Sequence, residues 1–146
     1  MRVIIQRVSH ASCTVNDQLV SSIPYGLMLL VGFTEGDNEE TIQKMVKKIV
    51  QLRIFEDQNQ KMNLSIKDVD GEILSISQFT LYANPYNGNR PSFTMAMHAS
   101  SAEKYYQIFN DELSKSLGKT VKTGIFGADM RLDVACIGPV TITLEY

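Results

Sequence analysis

The chain has no tryptophan and only two cysteines and two histidines among its 146 residues. Cys13 and Cys136 share no CxxC spacing, and His10 and His98 stand far apart, so neither a metal cluster nor a disulfide framework is indicated. A reducing compartment follows, with no metal and no cofactor expected. No apolar run approaches the length of a membrane span, and the opening MRVIIQRVSH alternates and turns polar too soon for a signal peptide. These features imply a cytoplasmic protein without a membrane partner. An excess of one charge is also lacking: the formal net charge of -2 argues against a broad electrostatic coating of nucleic acid, while leaving room for local contact with an RNA end. The commonest signatures of catalysis are missing as well, with no GxSxG elbow, no Walker loop and no HExxH.

What is present reads as one domain over residues 1–146, long enough to bury a core without staples. Val3 to Val8, continued by Ala11 to Val15, is strand-like, Asn16-Asp17 supplies a turn, and Leu19 to Ile23 returns as a hairpin arm. Leu27 to Phe33 is a short apolar run bounded by glycine, which suits a buried strand. Ile42, Met45, Val46, Ile49 and Val50 then recur at the spacing of one helical face, with Asp37 and Glu40 in a capping arrangement. Lys44, Lys47 and Lys48 fall off that stripe, as a solvated helix face requires.

Arg53 to Phe55 predicts a short strand before the polar loop Glu56 to Lys61, and Asp70-Gly71 predicts a turn. A second helix is expected from Ala102, Tyr105, Tyr106, Phe109, Leu113 and Leu117, with Ser100 and Glu103 as a capping box and Gly118 at its end. Two further strands are expected, Arg131 to Ala135 and Val140 to Leu144, separated by a Gly138-Pro139 break. Strands outnumber helices and hairpin-like connections predominate. The expected class is α+β, a mainly antiparallel, barrel-like sheet core with two amphipathic helices packed on it.

One stretch stands apart. Glu72 to Leu81, EILSISQFTL, begins as an ordinary strand and ends in Ser77, Gln78, Phe79 and Thr80, followed by the loop residues Asn84, Pro85, Asn87 and Gly88. Ser77, Gln78 and Thr80 suit either a solvated strand face or a hydrogen-bonding site at a strand end. A Ser or Thr nucleophile needs a neighbouring base. Only His10 and His98 offer one in the ordinary way, and nothing in the sequence places either beside Ser77 or Thr80.

Ser77-Gln78-Phe79-Thr80-Leu81, taken with Gly138-Pro139-Val140-Thr141, resembles the D-aminoacyl-tRNA deacylase family. Supporting stretches extend over nearly the whole chain: IQRV at Ile5, RIF at Arg53, KMN at Lys61, RPSF at Arg90 and FGADM at Phe126. The resemblance implies a homodimer of α+β subunits that hydrolyses the ester joining a D-amino acid to the 3′ end of tRNA, and that also acts on glycine wrongly attached to tRNA. It implies that Ser77, Gln78, Phe79 and Thr80 surround the ester and the amine. Phe126 and Met130 match positions around the terminal adenine, and Gly138 and Pro139 match a chirality-checking pair in cis conformation supplied to the partner's pocket. An already activated ester needs positioning and oxyanion stabilisation more than a strong nucleophile. The substrate 2′-hydroxyl would then take the place of a protein base. A non-catalytic RNA-end or protein-binding module and a Thr80-nucleophile esterase are the alternatives.

The sequence departs from the family pattern in two places. Cys136 stands where the second signature usually has Asn, and Thr94-Met95-Ala96-Met97 replaces a Lys-Gly-Ala type of segment.

Overall fold

In the computed structural model, which describes residues 1–146, the opening strand β1 (Arg2–Val15) is paired along both edges. One edge takes β2 (Gln18–Ile23) and β3 (Gly26–Gly32), the other takes β8 (Arg131–Glu145), and all three partners run antiparallel. Asn16 and Asp17 make the β1–β2 turn with φ of 49° and 59°, the left-handed pair that a tight hairpin with right-twisted strands requires.

Beyond β3 the sheet becomes parallel. β6 (Glu72–Ser77) lies beside β3, and the two-residue β7 (Lys122–Thr123) lies beside β6. Parallel neighbours need a crossover, and each crossover here carries a helix: α1 (Glu39–Gln51) before β6 and α2 (Ala99–Leu117) before β7. β4 (Phe55–Glu56) and β5 (Met62–Leu64) form a separate antiparallel pair. The α+β class with a barrel-like sheet and two helices is as expected; the parallel half was not foreseen.

Ile42, Met45, Val46, Ile49 and Val50 are all buried, and they meet Ala102, Tyr106, Phe109, Leu113 and Leu117 of α2 in one apolar core with β1 and β3. A smaller cluster of Val8, Ala11, Cys13, Ile23, Met28, Leu74 and Ile76 lies apart from it. Helix α2 stops at Gly118, which takes the left-handed conformation (φ 81°) and donates its N–H to Ser114 O at 2.9 Å.

Several local expectations are corrected. The cap of α1 is Asn38, whose Oδ1 accepts from Thr41 N at 3.1 Å; Asp37 instead turns inward and accepts from the Met1 amine and from Thr34 N. No capping box forms at α2, because His98 is the cap residue and its ring meets the Ser100 hydroxyl at 3.0 Å. The strand expected at Arg53 to Phe55 begins at Phe55, while Arg53 donates to Asn63 O. The two strands expected around Gly138-Pro139 are one strand, β8. Its pairing with β1 passes from Val8↔Cys136 to Gln6↔Thr141, leaving Arg7 alone opposite Ile137, Gly138, Pro139 and Val140. A bulge thus replaces the break, since β1 holds β8 on both sides of it.

Candidate active site

The polar end of β6 changes structure at Gln78. Its backbone N–H donates to Val31 O at 2.7 Å, extending the β3–β6 contact, and the next residues wind into a 3₁₀ turn, Phe79–Tyr82. Leu81 N bonds Gln78 O and Ala83 N bonds Thr80 O, so Phe-Thr-Leu-Tyr does not continue the strand. The turn is fastened from β1: the Arg2 guanidinium donates to Leu81 O and lies 4.8 Å from the centre of the Tyr82 ring. Burial, with the negative charges of Asp37 and Glu145, pushes the Tyr82 phenol up to about 12 against the opposing effect of Arg2.

Ser77, Gln78 and Phe79 line a cleft of about 570 Å³. The loop after β7 contributes Phe126, Asp129 and Met130 to the same cleft, and the segment before α2 contributes Phe93, Ala96 and Met97. Phe79 remains 54% exposed, with its ring edge-on to Phe93 at 5.1 Å between centres. Phe126 is half-buried, its ring 6.0 Å from that of Tyr106. Gly124 makes room for this loop, since a Cβ there would collide with Met130 Sδ and crowd Ile76.

Five expected residues, Ser77, Gln78, Phe79, Phe126 and Met130, therefore meet in one cleft. Thr80 sits just outside its lining, exposed, with its hydroxyl accepting from Gln78 Nε2 at 2.6 Å. Gly138 and Pro139 do not line it; they are exposed on the β8 bulge, joined by a cis peptide bond. The buried Arg7 guanidinium holds the bulge from below, reaching Ile54 O at 2.8 Å, Ile137 O at 3.4 Å and Glu56 at 3.4 Å.

The cleft is mainly apolar, with neutral hydrogen-bonding groups at one end. Neither histidine lines it, and Asp129 is the one carboxylate in its lining. No Ser–His or Cys–His couple exists here, so this arrangement can grip and orient a reactant but holds no ready-made nucleophile. Sequence reasoning did not single out Asp129 or Phe93, although both lie within quoted stretches. Spacing alone does not separate a loop residue facing a cleft from one facing water.

A model of the D-Tyr-tRNA(Tyr) deacylase family matches residues 4–145. The chain belongs to that family. It is 52% identical to the D-aminoacyl-tRNA deacylase of Lactobacillus delbrueckii subsp. bulgaricus over 145 residues, covering 99% of each chain. It is 50% identical to the D-aminoacyl-tRNA deacylase of Listeria innocua, over 99% of this chain and 96% of the relative. Among solved structures, a c-Myc DNA unwinding element binding protein superposes with a TM-score of 0.95 at 40% identity, covering 100% of this chain and 99% of the other. A probable eukaryotic D-amino acid tRNA deacylase shares the fold, with a TM-score of 0.85 at 18% identity over 98% and 97% of the two chains.

This member of the deacylase family is a hydrolase, and both of its departures fall near the features described. Cys136 is exposed and starts the β8 bulge, its Cα paired with Val8, so pairing there is kept without the usual Asn. Thr94 to Met97 is tied to the end of β3 by Thr34 Oγ1 to Met95 O at 2.6 Å and Met97 N to Phe33 O at 3.0 Å, which sets Ala96 and Met97 into the cleft lining.

Proposed function

We propose that this deacylase hydrolyses the ester of D-aminoacyl-tRNA in the cytoplasm, releasing a free D-amino acid and tRNA, and rejects the L-aminoacyl ester. The observation that carries the reading is the meeting of Ser77-Gln78-Phe79 with Phe126 and Met130 in one apolar cleft that lacks a nucleophile–base couple. Phe126 and Met130 take the terminal adenine by stacking and soft apolar contact. Ser77 to Thr80 surround the ester and the amine. Gln78 N is already bonded to Val31 O, so the backbone amides of Phe79 and Thr80 are the ones left to face the carbonyl oxygen as it gains charge.

Water oriented by the substrate's 2′-hydroxyl attacks the carbonyl carbon, the bond from that carbon to the 3′ oxygen breaks, and the departing oxygen takes the proton. Chirality is checked by Gly138 and Pro139 of a second copy in a homodimer. This is supported by their exposure and absence from their own cleft, and by the half-buried apolar row Leu132, Val134, Ile137, Val140, Ile142 and Leu144 along the same strand. A backbone wall there collides with an L side chain and spares a D one, which is discrimination by exclusion. Glycine passes, so glycine wrongly attached to tRNA is also a substrate.

The test is turnover of matched D- and L-aminoacyl-tRNA by the pure protein. Selective release of the D-amino acid supports the reading. Equal rates for both isomers overturn the chirality check, and tight binding of the RNA end without turnover favours a non-catalytic module. A trapped acyl-enzyme favours a Thr80 nucleophile.

A further inference from the structure

Two of the pieces of chain that form the cleft are only thinly joined to each other. Ser77, Gln78 and Phe79 extend from β6, while Phe126, Asp129 and Met130 follow β7, and β6 and β7 pair only at Leu74↔Lys122 and Ser75↔Thr123. The joint ends at one atom. The Ser75 carbonyl oxygen accepts a long bond from Gly124 N at 3.3 Å and a shorter one from the Tyr106 hydroxyl at 2.7 Å.

Tyr106 comes from α2, which lines the cleft through Ala99 and Ala102 and belongs to neither of these two pieces. It is 6% exposed, and its hydroxyl bond to Ser75 O is buried. The same side chain lays its ring 6.0 Å from Phe126, tilted by 43°. It therefore grips the strand that leads into Ser77 with its oxygen and supports the aromatic of the other piece with its ring. Burial pushes the phenol's pKa up, so the hydroxyl stays protonated and remains a donor.

We infer that Tyr106 is a positioning residue that fixes the distance between the adenosine-holding part of the cleft and the part that meets the ester. This rests on the functional reading above. Tyr106 touches neither reacting atom; it acts through Ser75 and Phe126. A reactant held at two points reacts fast only when their separation matches the reactive geometry, and misplacement of about 1 Å can cost on the order of 100-fold. Loosening the joint therefore lowers the rate of the bound ester while each part still binds its own portion of the substrate.

Tyr106→Phe removes only the oxygen and leaves the ring. For D-aminoacyl-tRNA the variant is expected to show kcat about tenfold lower with KM changed less than about twofold, a partial form of that misplacement. Phe126→Ala is the comparison, expected to raise KM. In the Phe126→Ala background, Tyr106→Phe should have a smaller effect than alone, because the residue it supports is gone. Wild-type kcat in Tyr106→Phe overturns the inference, as does a rise in KM with kcat unchanged, or a fall in melting temperature with unaltered kinetics. If Phe126→Ala behaves as wild type in an enzyme that turns over, or the wild type does not turn over, the functional reading itself fails and takes the inference with it. If Phe126→Ala weakens binding and Tyr106→Phe is silent, the inference alone fails.

Discussion

Arg7 fills the space beside Gly138 across the β1–β8 pair: a Cβ built on Gly138 would lie 3.0 Å from Arg7 Nη2 and 2.9 Å from Val140 Cγ2. Gly138 also holds φ of +113°, a conformation that L side chains rarely adopt. Gly138→Ala is thus expected to cost about 1–3 kcal/mol of stability. If the bulge checks chirality for a partner, its displacement also narrows the preference for D over L esters. Thermal unfolding and the ratio of D to L turnover measure the two effects, and a variant unchanged in both would remove the bulge from the proposal.

Thr80→Ala is expected to retain activity. The hydroxyl it loses is exposed and accepts one hydrogen bond from Gln78 Nε2. Such a bond is worth roughly 0.5–1.5 kcal/mol, or at most about tenfold in kcat/KM. A single-turnover rate fallen to background in a folded protein would point to Thr80 as the nucleophile after all.

The source of the proton chemistry is separable by two changes made in parallel. Losing a true general base costs about 100- to 10,000-fold. Asp129→Asn, which removes the one carboxylate in the cleft lining, is expected to cost less than about tenfold in kcat by that standard. A substrate whose terminal adenosine lacks the 2′-hydroxyl is expected to bind normally and lose about 100-fold or more. The reverse pattern, with a crippled Asp129→Asn and an unaffected 2′-deoxy ester, would assign the base to the protein.

Tyr82 makes a prediction about alkaline stability. Its phenol is buried without a hydrogen-bond partner and is raised from 10.0 to about 12 in the folded state. A group whose folded value lies above its unfolded one contributes stability that is complete below pH 10 and lost as the pH climbs towards 12. Tyr82→Phe should flatten the stability decline in that window, as read by denaturant unfolding at pH 9, 10, 11 and 12. At neutral pH it should cost about 1 kcal/mol or less, since the hydroxyl it removes has no partner. An unchanged alkaline slope would place the titration elsewhere.

Much of the fold was legible wherever its cause is local. The β1–β2 hairpin follows from Asn16-Asp17, and the buried faces of α1 and α2 follow from their apolar spacing. The parallel β3–β6–β7 edge was not legible, because its partners are far apart in sequence and β7 is too short to carry a pattern. Gly138-Pro139 read as an end of strand because composition cannot see that β1 lies alongside and resumes pairing at Thr141. Phe79 to Tyr82 has strand-like residues yet turns, since Gln78 already completes the contact with Val31 and no further rung of β3 is offered. For the cleft, the polar strand end stood out by chemistry alone, whereas joining Phe126 and Met130 to it depended on family resemblance. Asp37 misled because a buried carboxylate one residue before the true cap, Asn38, has the same composition as a cap.

The double pairing of β1 also bears on how the chain reaches its folded state. β2 and β3 share one edge of β1 and follow it closely in sequence, whereas β8, which covers the other edge, comes after every other strand. Until β8 docks, the full outer edge of β1 is a row of open backbone donors and acceptors, a template for pairing with any other extended chain. Closure across so long a sequence separation is slow compared with a local hairpin. Shortening that vulnerable interval by bringing β8 next to β1 in a circularly permuted chain should raise soluble yield.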